Sequence, residues 1–432
     1  MNILQLYKSD PTSRWIIYYI VLGLLQCLWT HPAAFPPTPM RVAMIAAMYL
    51  PMLFHKQLVL FAMPFSLLLT GQLCTSYTFL PNVRSLTFYI SILLVLLLTH
   101  SQSLHFKNLG KAYPLLLLAI FFGVADIAFL GGVGKYTEHL IFGLLLLPFL
   151  IKEQDYHLLS ASLVLSCFII AIYYVFLFKR FLVAWGSTGF DRSAWNDPNY
   201  FSIFLVAGFV VASFYVFKLK QSNLFVFNKT FLSVGMCFTA AAVFLTASRA
   251  GFVCLAFSLF TLLLFGKVKW TTLIIALIVI TLAVAYMYSL GVFEILLWRF
   301  TEQGDADTGG LRTLIWENMF NRYTTQSGFN QFFGGGFRHR LELTNGWDMH
   351  NEFLSVFADY GFIGFLLLVF FVVSVTKFTR TFVKDNILVI SYLLLTASLS
   401  PLLYINIVFF MIWMMGSRWH EKLSLADQRK GI

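Results

Sequence analysis

The sequence predicts an all-α fold class: a polytopic membrane helical bundle of about 12 to 14 transmembrane helices, with one large loop that contains short helices. The chain is 59% hydrophobic and only 11% charged, whereas a soluble domain carries about 25% charged residues. Apolar runs close to the ~20 residues that a membrane helix needs recur along the chain. One long polar segment, residues 291–350, interrupts this pattern and predicts the large loop.

The apolar runs divide the chain into four parts. We expect N-terminal spans in residues 1–178, central spans in 179–288, the large loop in 289–350, and C-terminal spans with a tail in 351–432. The first run begins only at Trp15 and has no small-residue cleavage site, so we expect a retained span and no cleavable signal peptide. Candidate spans lie near 15–30, 40–54, 57–75, 86–100, 112–130, 138–151, 157–178, 199–217, 230–247, 250–265, 270–288, 351–376, 387–403 and 405–416.

The positive charge fits a membrane protein better than a nucleic-acid-binding protein. The formal net charge is +11, but no long basic segment is interleaved with stacking aromatics. Lysines and arginines in the connections instead predict cytoplasmic loops. The five cysteines lie in or beside apolar runs without a CxxC pair, so they predict neither a disulfide framework nor a metal site.

With the lysine-rich connections placed in the cytoplasm, three other segments face the opposite side of the membrane. They are residues 179–199, the tight turn 246–251 and the loop 291–350. All three carry arginines, against the usual charge bias. Within the loop, residues 310–320 have helical spacing, and we expect a surface or interfacial helix there, followed by a glycine turn at 334–337. The apolar face of that helix comprises Leu311, Leu314, Ile315, Met319 and Phe320.

His350 is the candidate catalytic residue, because it stands where the loop meets an apolar span. A histidine at such a boundary can act as a general base near neutral pH. The plain alternative is an interfacial histidine that only caps a helix. No second histidine lies at metal-ligand spacing and no HExxH motif is present, so we predict no metal.

Ser248 and Arg249 interrupt two apolar runs and predict an anion site. A guanidinium is planar and multidentate, which suits phosphate oxygens, and the following helix N-terminus adds donors. The alternative is an arginine that snorkels from a tight turn. Arg192, in the segment 179–199, is expected on the same side as Arg249 and His350 and is a second candidate ligand for the anion.

These residues indicate chemistry on a phosphorylated substrate without a cofactor. The chain has no GxxxxGK[ST] phosphate loop and no other nucleotide fingerprint. A reaction without ATP needs a donor that carries its own energy, and a lipid-linked pyrophosphate meets this requirement. Arginines would stabilise the negative charge that develops on its leaving group.

Four groups of residues resemble the O-antigen ligase/O-antigen polymerase superfamily over about residues 200–365. They are Ser248-Arg249-Ala250-Gly251-Phe252; Gly310-Leu311-Arg312 with Trp316; Gly334-Gly335-Gly336-Phe337; and His350-Asn351 with Gly361 and Gly364. The spacing from His350 to Gly364 resembles the ligase form in particular. The resemblance is limited by the absence of a proline between Phe320 and Gly334, where the family often has one.

The resemblance implies a multi-pass enzyme of the bacterial inner membrane whose large loop and active site face the periplasm. It implies en bloc, metal-independent, inverting transfer of a glycan from undecaprenyl pyrophosphate to a sugar hydroxyl of lipid A-core. His350 would be the general base, Arg249 and Arg192 would bind pyrophosphate, and Arg312, Asn351 and Ser248 would help to bind substrate. No cofactor is implied, and the oligomeric state stays open.

Two other functions compete with a ligase. A polymerase of the same superfamily would use the same donor residues but a lipid-linked repeat unit as the acceptor. A transporter of lipid-linked glycans would instead distribute polar residues along the bundle interior. The candidate residues cluster at one predicted surface, which favours an enzyme.

Overall fold

A computed structural model describes residues 11–29, 38–62, 65, 113–146, 153–187, 198–217, 228–246, 248–265, 312–347, 349–378 and scattered positions between 278 and 291. All regular secondary structure in these ranges is helical. The all-α fold class is therefore confirmed.

Twelve α-helices lie in these ranges, and two 3-10 turns, Leu50–Leu53 and Lys56–Leu58, follow the second. The helices are α1 Pro11–Trp29, α2 Thr38–Tyr49, α3 Tyr113–Leu130, α4 Lys135–Leu146, α5 Glu153–Ser187, α6 Pro198–Phe217, α7 Lys229–Leu245, α8 Arg249–Phe265, α9 Arg312–Thr324, α10 Gly328–Phe333, α11 His339–Leu343 and α12 Glu352–Phe378.

Three of the described helices are long and apolar enough to cross a membrane: Tyr113–Leu130, His157–Phe176 and Glu352–Ser374. Shorter apolar helices lie in α1, α6, α7 and α8. This composition confirms a membrane helical bundle. The spans expected near 86–100, 387–403 and 405–416 lie outside the described residues, so the total of about 12 to 14 spans stays a prediction.

The chain forms two compact units whose segments alternate along the sequence. The first unit comprises Met1–Thr99, Lys152–Phe293 and Ile387–Tyr392, and thus holds α1, α2 and α5 to α8. The second unit comprises His100–Ile151, Glu294–Asn386 and Leu393–Ile432, and holds α3, α4 and α9 to α12. The four-part division expected from the sequence stays a prediction.

The first unit packs around α5, whose consecutive residues 167–169 each face a glycine of a different helix. A methyl group built on any of these glycines would lie 1.9–2.7 Å from an α5 side chain. Small residues let membrane helices approach closely, which gives extensive van der Waals contact where the hydrophobic effect between helices is weak. The pairs are Cys167 with Gly208 of α6, Phe168 with Gly235 of α7, and Ile169 with Gly23 of α1.

In the second unit, α12 contacts α3, α10 and α11, and its helical path is broken at Gly361. Gly361 has φ 66° and ψ −169°, a region that is essentially restricted to glycine. A Cβ at this position would lie 2.6 Å from both the Phe332 carbonyl group and the Gly334 nitrogen. The break therefore lets the end of α10 pack directly against the backbone of α12.

We expect Gly361→Ala to destabilise the protein strongly. The substitution combines a left-handed φ, which costs about 1–3 kcal/mol, with a backbone clash that no side-chain movement relieves. The matched control is Gly131→Ala, which also has φ 66° but has nothing within 4 Å of the added methyl group. Thermal unfolding of the detergent-purified variants measures the difference. Equal losses in the two variants would contradict close packing at Gly361.

Candidate active site

His350 lies in a short connection between α11 and α12 and has φ 50°. Positive φ is uncommon outside glycine, although histidine and asparagine tolerate it better than most residues. The non-glycine residues with positive φ in the described part of the chain are Arg338, Asn345 and His350, so they all fall within one stretch of thirteen residues, 338–350. Sparsely populated backbone conformations cluster at functional sites, which supports the choice of this connection as the candidate site.

Both neighbours of His350 are fixed by hydrogen bonds. The Trp316 indole Nε1 donates to the carbonyl oxygen of Met349 at 3.0 Å. The Asn351 side chain accepts from the Leu354 backbone N–H at 3.0 Å and so caps the N-terminus of α12. The His350 backbone is thus held between a helix cap and an indole from α9. The plain alternative, in which His350 itself is the cap, is wrong because Asn351 has that role.

The His350 side chain is half-buried. Its Nδ1 is buried and has no hydrogen-bond partner among the residues that the structure describes. A buried ring nitrogen is shielded from an incoming hydroxyl, so Nε2 is the better candidate for proton transfer.

An apolar cluster within the second unit lies beneath the Met349–His350 connection. It joins α9, α11 and the first turns of α12, and its buried members are Ile315, Met319, Tyr323, Leu343, Met349 and Ala358. Ile315 and Met319 of the predicted apolar face are buried, whereas Leu314 and Phe320 are exposed. Leu311 lies outside the described residues. The loop helix is thus packed into the protein through only part of its predicted apolar face.

The side chain and main chain of Asp359 together fix the backbone that leads to α11. Its buried carboxylate accepts from the backbone N–H of Arg340 at 2.7 Å and of Arg338 at 3.2 Å. The same carboxylate forms an ion pair with the Arg340 guanidinium. Its main-chain oxygen accepts from the N–H groups of Gly335 and Gly336 at 3.0 and 2.9 Å. One residue of α12 thereby fixes the backbone at four positions of the segment that follows α10, namely 335, 336, 338 and 340.

Asp126 of α3 is a second buried carboxylate with the same role. It accepts from the backbone N–H of Phe337 at 2.9 Å and from the hydroxyl of Tyr360 at 3.1 Å. It also accepts from the Gly134 N–H at 2.9 Å and the Thr137 hydroxyl at 2.6 Å. A buried charge is expensive unless it is hydrogen-bonded, and these four donors satisfy the carboxylate.

The Arg340 side chain belongs to the protein interior. It is 1% exposed, and its guanidinium lies 5.6 Å from the ring centroids of both Tyr136 and Phe337, which is cation–π distance. His339 bonds Gln326 at 2.6 Å and Glu342 at 3.0 Å. Both side chains therefore help to hold this segment together.

Ser248 and Arg249 lie in the first unit, at the turn between α7 and α8. The predicted tight turn is present: α7 ends at Leu245 and α8 begins at Arg249. The Ser248 hydroxyl accepts from the Gly251 N–H at 3.0 Å, so it caps α8. Arg249 is half-buried in the first turn of α8, where the helix dipole disfavours a cation. An anion beside Arg249 would offset this repulsion.

Gly251 has a packing role that the sequence did not reveal. A Cβ there would lie 2.2 Å from the hydroxyl oxygen of Ser202 in α6. The absence of a side chain at Gly251 therefore lets α6 approach closely.

The remaining predicted site residues are placed as follows. Arg312 is the first residue of α9 and is half-buried. It lies in the second unit with His350 and Asn351, whereas Ser248 and Arg249 belong to the first unit. Arg192 lies outside the described residues. That all six predicted residues contribute to one site therefore stays a prediction.

In the described part of the chain, no three His, Cys, Asp or Glu side chains are grouped so that they could hold a metal ion. Metal independence stays a prediction.

Sequence reasoning missed Asp126 and Asp359, although both carry a recognisable signal. Each is an acidic residue inside a long apolar run, and ionisable residues in such runs are generally paired and functional. The partners could not be foreseen, because they are backbone N–H groups up to 211 residues away in sequence.

Part of the chain matches a known protein family. Residues 234–369, less than a third of the chain, match a family described as O-Antigen ligase. The matched region runs from α7 to α12 and so includes Ser248, Arg249, Arg312, His350 and Asn351. No curated protein matches the chain.

We expect Trp316→Phe to weaken the connection at His350. It leaves the Met349 carbonyl, which belongs to a fully buried residue, without the indole donor. An unsatisfied buried acceptor costs about 1–3 kcal/mol. The measurements are the thermal unfolding midpoint and hydrogen exchange of residues 349–354. The matched control is Trp347→Phe, since that indole is exposed; equal effects would contradict the anchoring role of Trp316.

Proposed function

We propose that the chain is an O-antigen ligase of the bacterial inner membrane, because residues 234–369 match a family described as O-Antigen ligase. It transfers a glycan en bloc from undecaprenyl pyrophosphate to a sugar hydroxyl of lipid A-core at the periplasmic face, and it uses neither metal nor ATP. The observation that carries the proposal is the anchored His350 connection within the matched region.

In this proposal His350 is the general base. Its Nε2 takes the proton of the acceptor hydroxyl while the oxygen attacks the anomeric carbon of the donor sugar. The bond from that carbon to the pyrophosphate oxygen breaks, and its electron pair leaves with undecaprenyl pyrophosphate. Direct displacement inverts the anomeric centre. The fixed neighbours of His350 support this role, because a base must be held within hydrogen-bond reach of the proton it removes.

Arginines stabilise the leaving group in the proposed reaction. Departure of undecaprenyl pyrophosphate concentrates negative charge on phosphate oxygens, and preorganised donors that face this charge lower the barrier. Arg249 and Arg192 fill this role in the proposal, and Arg312, Asn351 and Ser248 contribute to binding. The position of Arg249 at the positive end of α8 supports it, because a bound anion interacts favourably with both the guanidinium and the helix dipole.

The direct test of the function is transfer in vitro. The purified full-length protein, reconstituted in lipid, is given undecaprenyl-pyrophosphate-linked glycan and purified lipid A-core, without ATP and with a chelator. A ligase caps lipid A-core with glycan. A polymerase of the family joins lipid-linked repeats and leaves lipid A-core unmodified. Elongated lipid-linked glycan without capped lipid A-core would show that the protein is a polymerase and not a ligase. Loss of either product when the chelator is added would contradict metal independence.

We expect His350→Ala to abolish transfer while the protein still inserts and folds. His350→Asn is the sharper variant, because asparagine tolerates φ 50° but cannot act as a base. Both are compared with the wild type in the transfer assay and by size-exclusion chromatography. His339→Gln is the matched control: it removes the neighbouring imidazole and leaves an amide near Gln326. Normal transfer by His350→Asn would remove His350 from the mechanism.

We expect Arg249→Lys to lose most of the transfer rate. Lysine keeps the charge but not the planar fork that binds two phosphate oxygens at once, and loss of one such contact costs on the order of 10²-fold in rate. Arg322→Lys is the control, because that guanidinium is exposed and bonds the carbonyl of Glu342. If both variants retained the wild-type rate, bidentate recognition by Arg249 would be wrong.

A further inference from the structure

The short helix α10 exposes three phenylalanines. Phe329 is 61% exposed and Phe332 is 53% exposed, and Phe333 is also exposed. The rings of Phe329 and Phe333 pack together at 4.9 Å. We call these three side chains the phenylalanine surface. Contiguous apolar patches are unusual on surfaces that face water, and an exposed patch generally marks an interaction site.

Hydrogen bonds on the opposite side of α10 fix this orientation. The Gln331 amide donates to the carbonyl oxygens of Tyr323, Thr324 and Gln326 at 3.1–3.3 Å. The Tyr323 hydroxyl donates in return to the Gln331 carbonyl oxygen, and burial raises the pKa of Tyr323, so that this donor keeps its proton. These hydrogen bonds hold the polar side of α10 against α9. They therefore leave the phenylalanines on the outer side of α10.

The phenylalanine surface continues the exposed apolar faces of two membrane-spanning helices. The Phe329 ring lies 6.2 Å from that of Phe129, which is exposed near the end of α3. The Phe332 ring lies 6.3 Å from that of Phe362 in α12. Because the rings contact each other directly, one continuous apolar surface runs from both spans onto α10.

The break in α12 indicates where the lipid-facing part of this helix begins. Before Gly361, residues 352–360 are buried or half-buried in the protein. After it, one exposed apolar stripe follows the helical repeat: Phe362, Leu366, Phe370 and Val373. Because α10 packs against the backbone at Gly361, it lies at the level where this stripe starts. The exposed apolar face of α3 ends nearby, at Leu130.

We propose that the phenylalanine surface inserts into the lipid bilayer at the boundary between headgroups and acyl chains. Apolar side chains of interfacial helices are buried about 5–10 Å into this boundary. Its continuity with the lipid-facing surfaces of α3 and α12 identifies lipid as the occupant. The segment 312–350 is thereby fastened to the membrane at α10, whereas the sequence suggested that the preceding helix, now α9, would be interfacial.

Spin labels test the proposal in the full-length protein. Phe329→Cys and Phe332→Cys are labelled after the five native cysteines are replaced by alanine, in nanodiscs of phosphatidylethanolamine and phosphatidylglycerol that hold one copy each. Oxygen partitions into lipid and a water-soluble nickel chelate stays outside. We expect the ratio of oxygen to nickel accessibility at both positions to exceed that at Asn321→Cys, an exposed polar position of α9, several-fold, and to lie below that at Leu366→Cys, which is one turn deeper in the span.

A ratio at position 329 equal to that at position 321 would overturn the proposal. Protection from nickel that appears only in nanodiscs holding two copies would also overturn it, because the occupant would then be a second chain. A measurement on the wild type guards against damage from the cysteine replacements: a phospholipid with a diazirine near its glycerol backbone should crosslink to residues 327–333. Absence of such crosslinks, with crosslinks to α12 present, would contradict lipid insertion.

Discussion

Two buried carboxylates determine the backbone of the second unit. Asp126 and Asp359 have no bulk water to solvate them, so each must be satisfied by donors within the protein. They use backbone N–H groups at Phe337, Arg338 and Arg340. A side chain that accepts from main-chain donors fixes the path of the chain and not only the position of another side chain. The segment that ends at His350 inherits its geometry from these contacts.

The role of Arg340, which is structural, differs from the role proposed for the arginines that bind substrate. Arg340 neutralises Asp359 inside the unit, and removing one partner of a buried pair costs about 3–5 kcal/mol because the other charge is left uncompensated. Arg249 stands instead in the first turn of a helix, where its charge is electrostatically unfavourable without an anion. The location of a charge relative to its partners distinguishes the two roles, whereas the residue type does not.

The sequence predicted the fold class, the helical loop segment, the turn at residues 246–251 and the membrane character, because each depends on local composition and periodicity. It also selected His350 and its neighbours, through spacing that a family shares. It did not predict that Gly251 admits Ser202 or that Asp126 binds Phe337. Those contacts join residues far apart in the chain, and no local pattern encodes them. The packing of Ile315 and Met319 into the protein could not be predicted for the same reason, since burial depends on which helices pack against α9.

The connections of Asp126 also constrain the order in which the protein can mature. Its carboxylate lies in α3, but two of its four donors are Phe337 and Tyr360, 211 and 234 residues later. Until those residues have been made, the Asp126 carboxylate lacks two of its four hydrogen-bond donors. Contacts of such long sequence separation form late. The backbone that leads to the His350 connection can therefore be completed only after the start of α12, including Tyr360, has been made.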